Sequence, residues 1–182
     1  MKRHSSGPQA GSQLIVRAIS PGAQRGILSC GGLRFPCALG RSGRRADKRE
    51  GDGATPIGRF ALRQVFYRSD RLMRPRTGLP IAALKACAGW CDDPADRNYN
   101  RFVRHPYPAS AERLWRDDPL YDLIVVLGYN ESPRIRGRGS AIFMHVAGTG
   151  FKPTAGCVAL TRPHLLRLIA RLQRGAMIRL LA

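Results

Sequence analysis

Apolar residues along this chain come in short runs separated by glycine, proline and charge, the pattern of strands. Residues 14–19, 26–30 and 33–39 read as three strands, with Gly31-Gly32 as a hairpin turn between the last two. Residues 58–67 alternate, which predicts a long strand with Phe60, Leu62 and Phe66 on one face. Residues 122–130 form the clearest buried strand, and Tyr129 and Asn130 at its end are placed to face a cleft. Residues 141–146 make the next strand, which carries His145. The period changes once. Thr161 is positioned to cap a helix over 162–173, with Pro163 in its first turn. Leu165, Leu168, Ile169 and Leu172 form its apolar face, Gly175 ends it, and residues 177–181 read as a last strand.

Other stretches lack such order. Residues 1–12 are polar and predict a disordered tail, leaving one domain over 13–182. Residues 40–53 form a charged, glycine-rich loop. Residues 68–120 hold six prolines, which argues against long elements, and Ser110 can cap a short helix over 110–116. Within this region Gly89-Trp90-Cys91-Asp92-Asp93-Pro94 sets two acids beside an aromatic. Such acids can cap an amine-bearing substrate or make a turn, and the turn is the favoured reading. The pattern predicts a mostly-β domain with one substantial C-terminal helix.

Charge sharpens the picture. The chain has 182 residues, 31 Lys and Arg against 12 Asp and Glu, and a net charge of +19. That charge favours polyanionic partners: nucleic acid, anionic membrane or a carboxylate-rich cell wall. Helix-turn-helix, zinc-finger and RNP signatures are missing, and the basic loop lacks interleaved aromatics, so nucleic acid is not the expected partner. No apolar run reaches the roughly 18 to 20 residues needed to span a bilayer. The basic start is not followed by the apolar run of a signal peptide. Of five cysteines, Cys87 and Cys91 could supply two metal ligands, but no second pair stands at zinc spacing, so no metal is expected. In a two-residue hairpin Cys30 faces Leu33 and Cys37 faces Gly26, so a disulfide between the two needs another register.

The chemistry lies near the C-terminus. Phe143-Met144-His145-Val146 ends an apolar run, and Thr154-Ala155-Gly156-Cys157 follows a polar loop. A thiolate is a strong nucleophile, and an adjacent imidazole is expected to lower its pKa. Gly156 frees the backbone to approach a substrate closely. N–H groups around Gly156 and Cys157 are candidates for an oxyanion hole. The competing reading is a core cysteine and a structural histidine that never meet; the glycine-rich approach to Cys157 favours catalysis.

This segment resembles the catalytic motif of the YkuD-type L,D-transpeptidases, whose nucleophile stretch usually reads Ser/Thr-His-Gly-Cys-x-Arg. Asp52-Gly53-Ala54-Thr55-Pro56-Ile57-Gly58-Arg59-Phe60 resembles the family's Thr-Pro-x-Gly-x-Phe block. The likeness runs from about residue 14 to 181 and is greatest to a short, domain-only branch seen in proteobacteria. Two positions depart from the pattern: Ala155 stands for the histidine before Gly-Cys, and Ala159 for the arginine after it. The resemblance implies a β-sandwich or barrel-like catalytic domain with Cys157 as nucleophile and His145 as base. It implies a periplasmic enzyme that cross-links peptidoglycan stem peptides at diaminopimelate through a thioester, without a cofactor. Links of the 3–3 or the L-alanine-to-diaminopimelate 1–3 type would both follow from that chemistry. Carbapenem-type β-lactams are expected to acylate Cys157. Tyr129, Asn130, Thr154, Ala155, Trp90, Asp92 and Arg45 are the expected substrate contacts. The alternatives are an L,D-carboxypeptidase or endopeptidase on the same stems, or a basic polyanion-binding protein without chemistry.

Overall fold

The computed structural model describes residues 13–182; the tail reading for residues 1–12 lies outside them. Three antiparallel strands open the chain: β1 (Gln13–Ala18), β2 (Arg25–Cys30) and β3 (Leu33–Ala38). Gly31 and Gly32 both have positive φ, which a tight two-residue hairpin requires. Cys30 therefore pairs with Leu33 and Cys37 with Gly26, and all five cysteines are free thiols. The charged loop folds into a small parallel pair, β4 (Arg44–Arg45) and β5 (Thr55–Pro56). Then come β6 (Gly58–Tyr67) and β7 (Ile81–Ala83). A separate sheet follows, with β8 (Ala88–Cys91) between β9 (Phe102–Arg104) and β10 (Ala111–Arg113). The chain ends with β11 (Leu123–Leu127), β12 (Phe143–Val146), β13 (Val158–Leu160), helix α1 (Arg162–Ile169) and β14 (Met177–Leu180).

Eight strands close into a barrel in the order β11-β12-β13-β3-β2-β1-β14-β6, and β6 returns to pair with β11. The length of β6 makes closure possible. Its first half pairs with β14 and its second half with β11. Between Leu62 and Val65 it carries one extra residue against β11, a bulge that reverses which side chains point inward. Leu62, Val65 and Tyr67 thus enter the barrel core while Phe66 faces outward, so the expected common face for Phe60, Leu62 and Phe66 is wrong.

Other departures have equally local causes. The expected helix at 110–116 is strand β10, because its backbone bonds to β8 and a helix that short is marginal alone. Helix α1 begins as expected, with Thr161 accepting from the His164 N–H and Pro163 in the first turn. It ends at Ile169, four residues early, where Arg171 and Leu172 donate three residues back to Leu168 and Ile169.

Two cores result. The barrel interior holds Leu14, Val16, Leu28, Val125, Met144 and Ile178, and α1 adds Leu165, Leu168 and Ile169 to it. The outward side chains of β11 and β12, Ile124, Val126 and Phe143, join a second core with Leu114 and Tyr121. All five residues of β11 are buried, because residues 84–121 cover its outer face. The catalytic candidates lie at the edge of this second core.

Candidate active site

Strands β12 and β13 run parallel, with Met144 opposite Val158 and His145 opposite Ala159. One step back, Cys157 lies beside Phe143, whose N–H donates to its Sγ at 3.3 Å. Alternation then places Cys157 and His145 as diagonal neighbours on one face. Both are nearly buried, at 7% and 6% exposed, and both line a cavity of about 590 Å³. The competing reading, in which the two never meet, requires them in different parts of the fold; here they share one cavity wall.

The thiol is held from two sides. Besides the Phe143 N–H, the S–H donates to the Ala141 carbonyl at 3.3 Å. Ala141 was expected inside the strand; instead it adopts φ 52°, and β12 starts at Phe143. This uncommon conformation carries the carbonyl that meets the thiol. Thr154 braces the loop before Cys157: its hydroxyl donates to the Cys157 carbonyl at 2.7 Å and accepts from the Gly156 N–H at 3.1 Å. The Gly156 amide is therefore engaged, which removes it from the expected oxyanion hole. Gly156 has φ 136°, and a Cβ there would stand 2.7 Å from the Ala54 carbonyl oxygen. The block around Thr55-Pro56 thus packs under the loop before Cys157, and Thr55, fully buried, accepts from the Gly40 N–H at 2.8 Å. Gly156→Ala is expected to cost about 2–4 kcal/mol of stability and to remove activity; thermal melts and turnover assays check it.

The imidazole is oriented by its own strand. Nδ1–H donates to the Val146 carbonyl at 2.8 Å, which leaves Nε2 as the basic nitrogen. Tyr121 stands edge-on to the ring at 5.3 Å, and its hydroxyl donates to Glu112 Oε1 at 2.6 Å. The Arg116 guanidinium lies 5.2 Å over the Tyr121 ring and is paired with Asp118 at 2.6 Å. Ala159 offers no guanidinium opposite His145, whereas Arg116 lines the same cavity from another part of the chain.

Burial sets the protonation states. It pushes the His145 pKa down to about 4, against the Val146 carbonyl that favours the charged form, while Arg116 adds to the depression. Burial likewise pushes the Cys157 thiol up to about 12; Glu112 adds to the rise, and the Phe143 N–H and Lys48 oppose it. The expectation that the imidazole lowers the thiol pKa is thus not met at rest. The pair waits as neutral thiol and neutral imidazole. His145 titrates near 6.5 in the unfolded chain and near 4 in the fold, so the unfolded state binds more protons between those values. Its contribution is fully present above pH 6.5 and is lost as pH falls through 4, by about 3 kcal/mol. Chemical unfolding of wild type and His145→Gln across pH 4–7 should show a steeper loss in wild type.

The other expected contacts divide. Thr154, Ala155 and Asp92 line the cavity. Trp90 does not line it but a neighbouring pocket, edge-on to Phe143 at 5.2 Å, with its indole N–H on Asn100. Tyr129 and Asn130 face other pockets; the Asn130 side chain closes the 130–139 loop through Ile135 and Gly139. Arg45 is exposed on β4, away from the cavity. Glu112, Arg116 and Tyr121 were missed, because nothing local in residues 68–121 marks them. Among the described residues no group of three His, Cys, Asp or Glu is arranged to hold a metal ion. Among them, too, no helix is long and apolar enough to cross a membrane.

The family model of the L,D-transpeptidase catalytic domain, YkuD, matches residues 29–180. The chain belongs to the YkuD family. A solved structure of Mycobacterium tuberculosis L,D-transpeptidase 1 is similar at 15% identity and a TM-score of 0.38. That likeness covers 94% of this chain and 63% of the mycobacterial one. No curated protein matches the chain. The YkuD domain here contains both resembling blocks, and the fold packs them together: one carries Cys157 and the other lies against the loop before it.

Proposed function

We propose that this YkuD protein is a cysteine L,D-transpeptidase acting on peptidoglycan stem peptides in the periplasm or cell envelope. The observation that carries the reading is the diagonal placement of Cys157 and His145 in one cavity. Cys157 Sγ attacks the carbonyl of the L-centre of diaminopimelate in a donor stem. His145 Nε2 takes the thiol proton as the bond forms and returns it to the departing D-alanine amine, leaving a thioester. The remaining candidate for the oxyanion is the N–H of Cys157 itself. An acceptor amine then attacks the thioester, an amide forms, and the thiol is restored. A diaminopimelate amine as acceptor gives a 3–3 link, and an L-alanine amine a 1–3 link. Arg41, Arg116 and Lys152 around the cavity suit the carboxylates of the stems. A carbapenem would enter the same acylation step and stop there.

Incubation of the pure protein with defined tetrapeptide muropeptides tests this. Cross-linked dimers lacking one D-alanine per link are expected by mass spectrometry. Tripeptide monomers alone would make it a carboxypeptidase, and unchanged muropeptides would overturn the reading.

A further inference from the structure

The cavity holds a second set of titratable groups that the scheme above leaves unused. Strand β10 pairs with β8 so that Glu112 stands opposite Trp90, and the Asp92 N–H bonds to the Ser110 carbonyl at 3.2 Å. Alternation along β8 puts Asp92 on the face of Trp90 and hence of Glu112. Both acids line the cavity that contains Cys157. Their surroundings differ from those of ordinary surface acids. Asp93 serves the turn, accepting from the Ala95 N–H at 2.8 Å. Asp92 does not: its Oδ1 is wholly buried and has no hydrogen-bond partner. An unpaired buried carboxylate oxygen disfavours the charged group, and a cation beside the carboxylate offsets that cost. Glu112 keeps one oxygen on the Tyr121 hydroxyl, whose ring touches His145. Glu50 also faces the cavity. Burial raises the Glu112 pKa, against the Tyr121 hydroxyl and the Arg116 guanidinium, which lower it, and the charges of Asp92 and Glu50 add to the rise. A chain with 12 acids against 31 bases has thus brought three acids to the wall of this cavity, which Arg41, Lys48, Arg116 and Lys152 also line.

We propose that Glu112 and Asp92 form a subsite for a primary ammonium group of the peptide substrate, beside the Cys157 thiol. The inference rests on the transpeptidase reading for the identity of the substrate. An ammonium has three donors, enough to reach the carboxylates of Asp92 and Glu112 together. Two groups of the stems carry one: the distal amine of the donor's diaminopimelate, and the amine of the acceptor. Occupation also bears on reactivity. Glu112 is a charge that holds the thiol proton on, so a cation between them eases its removal. Substrate arrival and nucleophile activation are then coupled.

The first test needs no peptide. Cys157 is modified with aminoethyl methanethiosulfonate, which carries an ammonium, and with neutral methyl methanethiosulfonate, each followed by site-resolved mass spectrometry. The ratio of the two rates should fall about tenfold in Glu112→Gln/Asp92→Asn, the scale of a lost close charge pair in a partly buried site. Glu112→Gln keeps an acceptor for Tyr121, and each single variant should show part of the fall. An unchanged ratio, or an equal slowing by both reagents, overturns the subsite. The second test uses donor tetrapeptides with the distal amine free or acetylated. Loss of acylation confined to the free-amine donor assigns the subsite to the donor. Normal acylation with weakened transfer to an amine assigns it to the acceptor. Equal effects on all of these overturn it. If no stem peptide acylates the protein, the transpeptidase reading fails, while the thiosulfonate ratio still reports on the ammonium subsite.

Discussion

Cys157→Ala is expected to lose turnover by at least about 10⁴-fold while the protein stays folded. In the proposed mechanism the thiol is the group that forms the bond, and no other thiol lines its cavity among the described residues. Removing it leaves the Ala141 carbonyl and the Phe143 N–H without a sulfur partner, which costs about 1 kcal/mol for such weak bonds. The barrel core is untouched, so cooperative unfolding should persist. Intact-mass analysis with a carbapenem should show one adduct on wild type and none on the variant. An adduct on Cys30, Cys87 or Cys91, or turnover in Cys157→Ala, would remove the thiol from the mechanism. Cys30 and Cys37 lie in the barrel core and do not line the cavity, so neither is placed to meet a substrate.

His145→Gln should slow acylation by about 10²-fold or more, the scale of a lost general base. Because its pKa is depressed to about 4 in the free enzyme, the acid limb of kcat/KM in wild type should lie near pH 4 and not near 6.5. The variant should lack that limb. Iodoacetamide provides the contrast. The resting thiol is pushed up to about 12 by burial and Glu112, and the imidazole does not oppose this. Alkylation of Cys157 at pH 8 should therefore be slow in wild type and in His145→Gln alike. Fast alkylation in wild type that vanished in the variant would mean a preformed thiolate–imidazolium pair, against the neutral pair described here. A high acid limb in wild type would equally show that His145 is not the free base in the cavity.

Several features were legible because their causes are local. Gly31-Gly32 set the hairpin register, which kept Cys30 and Cys37 apart. Thr161 and Pro163 announced the start of α1, since capping depends on neighbours in sequence. His145 and Cys157 stood out as a buried histidine and a cysteine after a glycine, and the parallel register of β12 and β13 brought them to one face. Other features were illegible for equally physical reasons. The bulge in β6 reversed Phe66 because closure against β11 demanded an extra residue, and alternation by itself cannot show a bulge. Ala141 looked like strand, yet its carbonyl had to turn toward the thiol.

By itself the sequence determined the strand-rich domain, the hairpin, the start of the C-terminal helix and the candidate nucleophile and base, all consequences of periodicity and of neighbouring residues. Tertiary structure alone decided closure of the barrel, the neutral state of the thiol and imidazole, and the arrival of Glu112, Arg116 and Tyr121 around them. Those outcomes arise from burial and from contacts between segments far apart in the chain. Residues 84–121 carry little periodic signal because their short strands are shaped by the barrel face they cover, and that face exists only once the chain has folded.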